Sequence, residues 1–336
     1  MSLAKIAFKE IFNQPIHQGK PILGVGRVEL SQNGEKVAVA LAYNVAVPPQ
    51  ETYQAAALVW DIKSSRVTHF TCLPGGDPPT IHPASNGEFV AGASSHSTLT
   101  IDYLEKDNRR RYRETKAERN SIQALALGEN GERIAAAYRN DNTKEGEIQV
   151  FSAGDGPFHH VTGQSIPEIL EFSDDGKQMA FGFNNGNVEA WDMVRREPLF
   201  VGTMSGWPKS LAYSRDGEMV AFCSSEHGDS HVALYRTKTG IKDADVTVKG
   251  IVLASRFWPN AKCFTYGTQS LQSGKRMGKI YGMDLEGKGT FELDAKGAVS
   301  SLAFSPDGKY LAASIVNDFG HGQETGTVRV WETSSR

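Results

Sequence analysis

The chain has 336 residues, 39% hydrophobic and 22% charged, with a formal net charge of −3. That balance excludes a domain-wide basic field for nucleic acid or anionic lipid, and no run approaches the ~20 consecutive apolar residues of a membrane-crossing helix. Cys72, Cys223 and Cys263 lie far apart and form no C-x-x-C pair; they read as buried reduced thiols, which puts the expected location in the cytoplasm.

Residues 1–24 scatter Lys5, Lys9, Glu10, His17 and Lys20 among apolar positions, so they do not read as a secretory signal. Within them Lys5–Phe12 reads as a strand, with Ile6 and Phe8 alternating. Beyond it one phrase recurs, starting at Leu30, Pro83, Leu127, Phe172, Tyr213, Phe257 and Phe304. An alternating strand runs into Asn-Gly or Asp-Gly and then into a strand of small residues. Phe304-Ser-Pro-Asp-Gly-Lys-Tyr-Leu-Ala-Ala is the clearest copy and Phe257-Trp-Pro-Asn-Ala-Lys-Cys the poorest. The turn residues are Asn33, Asn86, Asn130, Asp175, Asp216, Asn260 and Asp307, at intervals of 53, 44, 45, 41, 44 and 47 residues. Asx-Gly between apolar runs signals a hairpin, because both residues tolerate the positive φ of a tight turn. A hairpin every ~40–50 residues is the spacing of propeller blades.

A second phrase follows each turn. Val59-Trp60-Asp61, Ala190-Trp191-Asp192 and Val330-Trp331-Glu332 end a strand with an aromatic residue and an acid. Ile101-Asp102, Phe151-Ser152, Tyr235-Arg236 and Met283-Asp284 hold the equivalent places. In these features the sequence resembles the WD-repeat family, from about Val25 to Glu332. The resemblance implies an all-β, seven-bladed propeller of four-stranded antiparallel blades, strands a to d from the axis outward. As one domain over 1–336, its blades fall at about 25–73, 78–117, 121–163, 166–203, 208–249, 251–294 and 298–336, the last completed by 5–12 as the closing strand. Trp60, Asp61, Trp191, Asp192 and Trp331 are the structural residues of the repeat. Trp60, Trp191 and Trp331 are expected between blades and buried, and Trp258, in an a–b turn, much less so. The family's Gly-His dipeptide is missing, and its Asp before strand c falls on Gln54, Ser95, Glu145, Asn185, Asp229, Met277 and Thr325, so only Asp229 fits. Aromatic and aliphatic packing is therefore expected to join the blades.

In such a ring the b–c and d–a loops share one face and the a–b turns the other. The b–c loops are predicted at 43–56, 94–97, 139–146, 184–186, 224–230, 268–278 and 316–326, so the three longest belong to blades 6, 7 and 1, neighbours in a closed ring. Long insertions on one arc mark the candidate partner-binding surface. Tyr43, Tyr53, Leu271, Arg276, Phe319 and His321 are its candidate contacts, aromatic and arginine anchors being typical of protein interfaces; the plainer alternative is a set of hairpin extensions packed on their own blades. Near the axis, Glu29, His82, Glu171 and Arg256 stand where other blades carry Ala126, Ala212 or Ala303. A charged channel site is one reading, and a set of groups satisfied by water or by partners is favoured over it, since buried charges must be paired.

Arg109-Arg110-Arg111-Tyr112-Arg113 is the densest basic run, but Glu105, Asp107, Glu114 and Glu118 flank it, so a solvated rim is preferred to a phosphate site. His159-His160 lacks a third ligand nearby in sequence. No nucleophile elbow, H-E-x-x-H, P-loop or dinucleotide loop is found. The expectation is a non-catalytic scaffold or complex subunit that binds other proteins, with no cofactor, metal, catalytic residue or membrane contact. The alternatives are a lactonase-like hydrolase with a channel metal and, behind it, a nucleic-acid-binding propeller.

Overall fold

The computed structural model describes residues 6–16, 22–47, 50–73, 80–83, 89–95, 98–104, 108–113, 120–128, 131–140, 142–152, 158–163, 165–260, 263–272, 275–320 and 323–335. The chain begins with β1 (Ile6–Pro15) and continues with blade 1, formed by β2 (Ile22–Leu30), β3 (Lys36–Val47), β4 (Gln50–Asp61) and β5 (Arg66–Leu73). Blade 2 is β6 (Thr80–Pro83), β7 (Phe89–Ser95), β8 (Thr98–Tyr103) and β9 (Asn108–Arg113). Blade 3 is β10 (Asn120–Gly128), β11 (Arg133–Asn140), β12 (Gly146–Ser152) and β13 (Phe158–Gly163). Blade 4 is β14 (Pro167–Phe172), β15 (Gln178–Phe183), β16 (Asn187–Asp192) and β17 (Glu197–Thr203). Blade 5 is β18 (Trp207–Tyr213), β19 (Met219–Glu226), β20 (Asp229–Arg236) and β21 (Lys242–Lys249). Blade 6 has β22 (Ile251–Phe257), β23 (Cys263–Gln272), the short β24 (Lys275–Met277), β25 (Lys279–Asp284) and β26 (Gly289–Asp294). Blade 7 holds β27 (Ala298–Phe304), β28 (Tyr310–Gly320) and β29 (Gln323–Ser335), and β1 lies antiparallel beside β29 as its fourth strand. The ring is a seven-bladed β-propeller of antiparallel four-stranded sheets, closed by the N-terminal strand.

The repeated phrase builds its turn in a specific way. In blade 1 the buried Ser31 hydroxyl donates to Asn33 Oδ1 at 2.7 Å and accepts the Lys36 N–H at 2.9 Å. Ser173 with Asp175 and Gln178, Ser214 with Asp216 and Met219, and Ser305 with Asp307 and Tyr310 repeat both bonds. The glycine that follows has φ of +70° at Gly34 and +72° at Gly308, a region costly for residues with a Cβ. Space demands glycine as well. A Cβ on Gly34 would stand 2.7 Å from the Tyr310 ring of blade 7, and one on Gly308 2.7 Å from the Trp258 indole nitrogen of blade 6. Each of these two turns seats a large side chain from the preceding blade.

Burial follows the ring. Seven buried clusters, one at each interface between consecutive blades, hold the described core. Strand b of each blade is apolar on both faces, as in Val37–Leu41, Ile134–Tyr138 and Leu311–Ala313, because sheets cover it on both sides. Aromatic contacts cross several interfaces: Phe200 of blade 4 stacks on Tyr235 of blade 5 at 5.2 Å, and Phe8 of β1 meets Phe291 of blade 6 at 4.8 Å.

The Trp residues divide differently from the sequence expectation. Trp60 and Trp331 are buried, Trp60 edge-on to Phe12 of β1 at 6.2 Å. Trp191 is only half-buried, packed against His160 at 4.6 Å and Phe158 at 5.6 Å, its indole N–H bonded to Glu189. Trp258, expected to be accessible, is 9% exposed and lies 4.6 Å from Phe304. It occupies the serine place of the phrase and turns into the blade 6–7 interface instead of pinning its own turn. Asp61 and Asp192 cap the turns after strand c: Asp61 accepts from the Ser64 N–H and hydroxyl, both at 2.7 Å, and Asp192 from the Val194 and Arg195 amides.

Two outcomes are expected. A chain lacking residues 1–16 loses Phe12 and Ile16 from the blade 7–1 cluster and bares β29, so its melting temperature in calorimetry falls sharply and it aggregates. Trp258→Ala costs about 3–5 kcal/mol in urea unfolding, the range of a buried aromatic, and Trp191→Ala costs less.

Candidate functional site

Two regions concentrate chemistry, one at the axis and one on the b–c face. The axial group is built from the ends of the inner strands. Arg27 and Glu29 come from β2, Glu171 from β14 and Arg256 from β22, so blades 1, 4 and 6 meet across the channel. Arg27 Nε donates to Glu29 Oε1 at 2.6 Å and its Nη2 to Glu171 Oε1 at 2.7 Å. Arg256 Nη2 donates to the same Glu29 oxygen at 3.2 Å, and its Nη1 lies 3.6 Å from the same Glu171 oxygen. Burial opposes charge on Glu29, yet Arg27, then Arg256 and His82, hold its carboxyl below the ordinary carboxylate range. Burial likewise opposes the Arg27 charge, but Glu171 and Glu29 outweigh it and raise its pKa further.

The network divides the channel. Arg27, Glu171 and Arg256 border both a cavity of about 160 Å³ on the a–b-turn side and a wider one of about 290 Å³ on the b–c side. The turn-side cavity also has His82, Asp174, Tyr213 and Arg215 in its wall. Of satisfaction by water or by partners, the reading favoured on sequence grounds, these contacts give Glu29, Glu171 and Arg256 the second. Arg27 escaped that reading because it precedes Glu29 by two residues, outside the position compared between blades.

On the b–c face the three long loops resolve into ordered hairpins. β3 and β4 pair out to Val47↔Gln50, β23 and β24 from Ser270↔Met277 to Gln272↔Lys275, and β28 with β29 out to Gly320↔Gln323. Most of the segments predicted as loops at 43–56, 268–278 and 316–326 thus lie in extended ladders, as alternating residues in both arms allow. The hairpins adjoin. Phe319 pairs with Glu324, Glu324 with Ile22, and Ile22 with Tyr43, in one backbone row from blade 7 into blade 1; Tyr53 sits opposite Asn44, the next position. β24 lies against β28. Leu271, paired with Arg276, is 71% exposed, and Arg276 is half-buried with its guanidinium 3.4 Å from Gln269 Oε1. His321 lies outside the described residues.

Other candidates separate. Asn108–Arg113 forms the outer strand of blade 2. His160 is held among Phe158, Phe181 and Trp191, and burial lowers its pKa against the opposing pull of Glu189, so packing accounts for it. No group of three or more His, Cys, Asp or Glu among the described residues is placed to hold a metal ion. Sequence reasoning missed Trp207, 59% exposed on the b–c face with the Lys209 ammonium 5.7 Å from its ring centroid. Its only signal was a tryptophan lying outside strand c.

A closed ring of repeated antiparallel blades, with capped Trp-Asp phrases ending β4 and β16, defines the class as a β-propeller built from repeats. The family model described as WD domain, G-beta repeat, matches residues 287–332. WD repeat-containing protein 1-B of Xenopus laevis is 25% identical over 229 residues, 65% of this chain and 35% of that protein, so the chain spans about a third of this curated relative's length. The β-propeller domain of Myceliophteria thermophila Cps50 (Swd1) superposes with a TM-score of 0.67 at 13% identity, over 96% of this chain and 99% of that one. A chain of the mitotic checkpoint complex gives 0.64 at 18% identity, over 95% and 93%. The chain folds as a seven-bladed β-propeller, and its last repeat is similar to the WD domain.

The axial network makes a specific prediction. Glu171→Gln leaves Arg27 and Arg256 sharing Glu29 but stripped of their second carboxylate and costs about 3 kcal/mol in urea unfolding at pH 7. Replacing all four members by Met or Leu costs less than the sum of the single changes. Because the Glu29 pKa is depressed on folding, its stabilisation is present above its ordinary value of 4.5 and is lost as pH falls through the lower folded value; the apolar quadruple variant lacks this loss.

Proposed function

We propose that this chain is a non-catalytic scaffold or complex subunit that seats partner proteins on the b–c face over blades 6, 7 and 1. The observation that carries the reading is the continuous backbone row Phe319–Glu324–Ile22–Tyr43, which joins the b–c hairpins of blades 7 and 1. Leu271 stands 71% exposed and Met277 38% exposed on the adjoining blade 6 hairpin, apolar contacts of the kind that anchor interfaces. A similar propeller structure adds support, since it is named for an assembly, the mitotic checkpoint complex. Tyr43, Tyr53, Leu271, Arg276, Phe319 and His321 are the proposed contacts. The hydrolase alternative draws on Glu29 and Glu171, and each of these gives one oxygen to two arginines. A cytoplasmic setting suits cysteines kept as thiols: Cys223 and Cys263 are buried, with burial pushing the Cys223 thiol up to about 12, whereas Cys72, expected buried, is exposed on the outer strand of blade 1.

The test compares partner recovery by variants of the full chain, read by quantitative mass spectrometry after affinity purification from the native cell. Changing Tyr53, Arg276 and Phe319 to Ala together with Leu271→Asp should leave the melting temperature nearly unchanged and weaken the main partner by about 2 kcal/mol or more. Arg109→Ala with Arg111→Ala should leave recovery intact; the reverse pattern moves the site to the rim of blade 2.

A further inference from the structure

We propose that the turn-side cavity of the channel binds a primary ammonium group, offered by a lysine side chain of a partner or by a free polyamine. This site lies opposite the b–c face and does not rest on the partner surface assigned there.

The argument is a count of donors and acceptors. Both guanidiniums of the network crowd onto one oxygen of each carboxylate, Glu29 Oε1 and Glu171 Oε1. Glu29 Oε2 and Glu171 Oε2 have no hydrogen-bond partner among the described residues, although Glu29 is 7% exposed. His82 Nδ1 lies 2.9 Å from the Pro83 carbonyl oxygen, which can only accept. A neutral His82 therefore carries its proton on Nδ1 and presents the Nε2 lone pair. Asp174 adds an accessible carboxyl at the mouth. Crowding by neighbouring atoms, with Glu29 and Glu171 adding repulsion against the pull of His82 and Arg215, raises its pKa. Arg215, the remaining cation of the wall, donates across the channel to the Pro306 carbonyl oxygen. The Tyr213 hydroxyl, buried in the same wall, also lacks a partner.

The unused capacity of the cavity is thus acceptor capacity, around a space of about 160 Å³, ample for several waters. An ammonium offers three donors and one positive charge on a slender chain. Phe172, Phe257 and Phe304 border the path and suit the methylene stem. A guanidinium is broader and would meet Arg27 and Arg256 directly. A metal ion would need a convergent ligand set, which the described residues do not form.

The test is titration calorimetry of the full chain with n-butylammonium, with 1-butanol as its neutral match and sodium acetate as the anion control. Butylammonium is expected to bind, and butanol and acetate not to. Asp174→Asn and, separately, His82→Gln should each weaken butylammonium about tenfold, the loss of one charge-assisted bond, with melting temperatures unchanged. Spermidine and a lysine tripeptide, titrated in parallel, distinguish the two sources by which binds tighter. The proposal falls if butylammonium fails to bind, if butanol binds equally well, or if both variants keep wild-type affinity. It falls equally if acetate binds and butylammonium does not.

Discussion

A sheet that ends in an unpaired strand leaves its N–H and C=O groups bare, and blade 7 would do so at β29 without β1. The first strand of the chain removes that edge by pairing from Ile6↔Ser335 to Pro15↔Thr327. The same segment plugs the neighbouring core. Phe12 and Ile16 join Trp60, Val37 and Val330 in the blade 7–1 cluster, Phe8 reaches Phe291 of blade 6, and Glu10 forms an ion pair with the buried Arg329. Every blade interface has its own cluster, so blade-to-blade contact holds the molecule around a channel. Such a stack is secure only if the last interface is as complete as the others.

Closure also explains where chemistry collects. Inner strands from blades far apart in sequence converge on the axis, where Arg27, Glu29, Glu171 and Arg256 can meet only because the ring is shut. On the b–c face, closure brings the hairpins of blades 7 and 1 into one ladder through Ile22. The two faces differ accordingly: an ordered projecting surface on one, an acceptor-lined recess on the other.

Much of this was legible in the sequence, for local reasons. The Asx-Gly turns and the strand-ending Trp phrases are short-range signals that mark the number of blades, and the alternation of Ile6 and Phe8 marks the closing strand. The serine before each clear turn was visible but its double hydrogen bond was not, since pinning a turn is a matter of geometry. Trp258 misled because its turn position says nothing of Phe304 and Gly308 on the next blade, which receive the indole. The long b–c segments looked like loops because their alternation is weak and rich in small polar residues, yet each pairs with itself. Arg27 was invisible as a partner for Glu171, which is 144 residues away.

The account is tested most directly by amide hydrogen exchange along β29 in the intact chain. In that strand alternate amides face β28 and β1. If β1 closes the ring as a full member of the fold, the amides of Thr327–Ser335 directed at β1 are protected to about the same free energy as those directed at β28, and both approach global stability. Rapid exchange of the β1-facing set while the β28-facing set stays protected would contradict it.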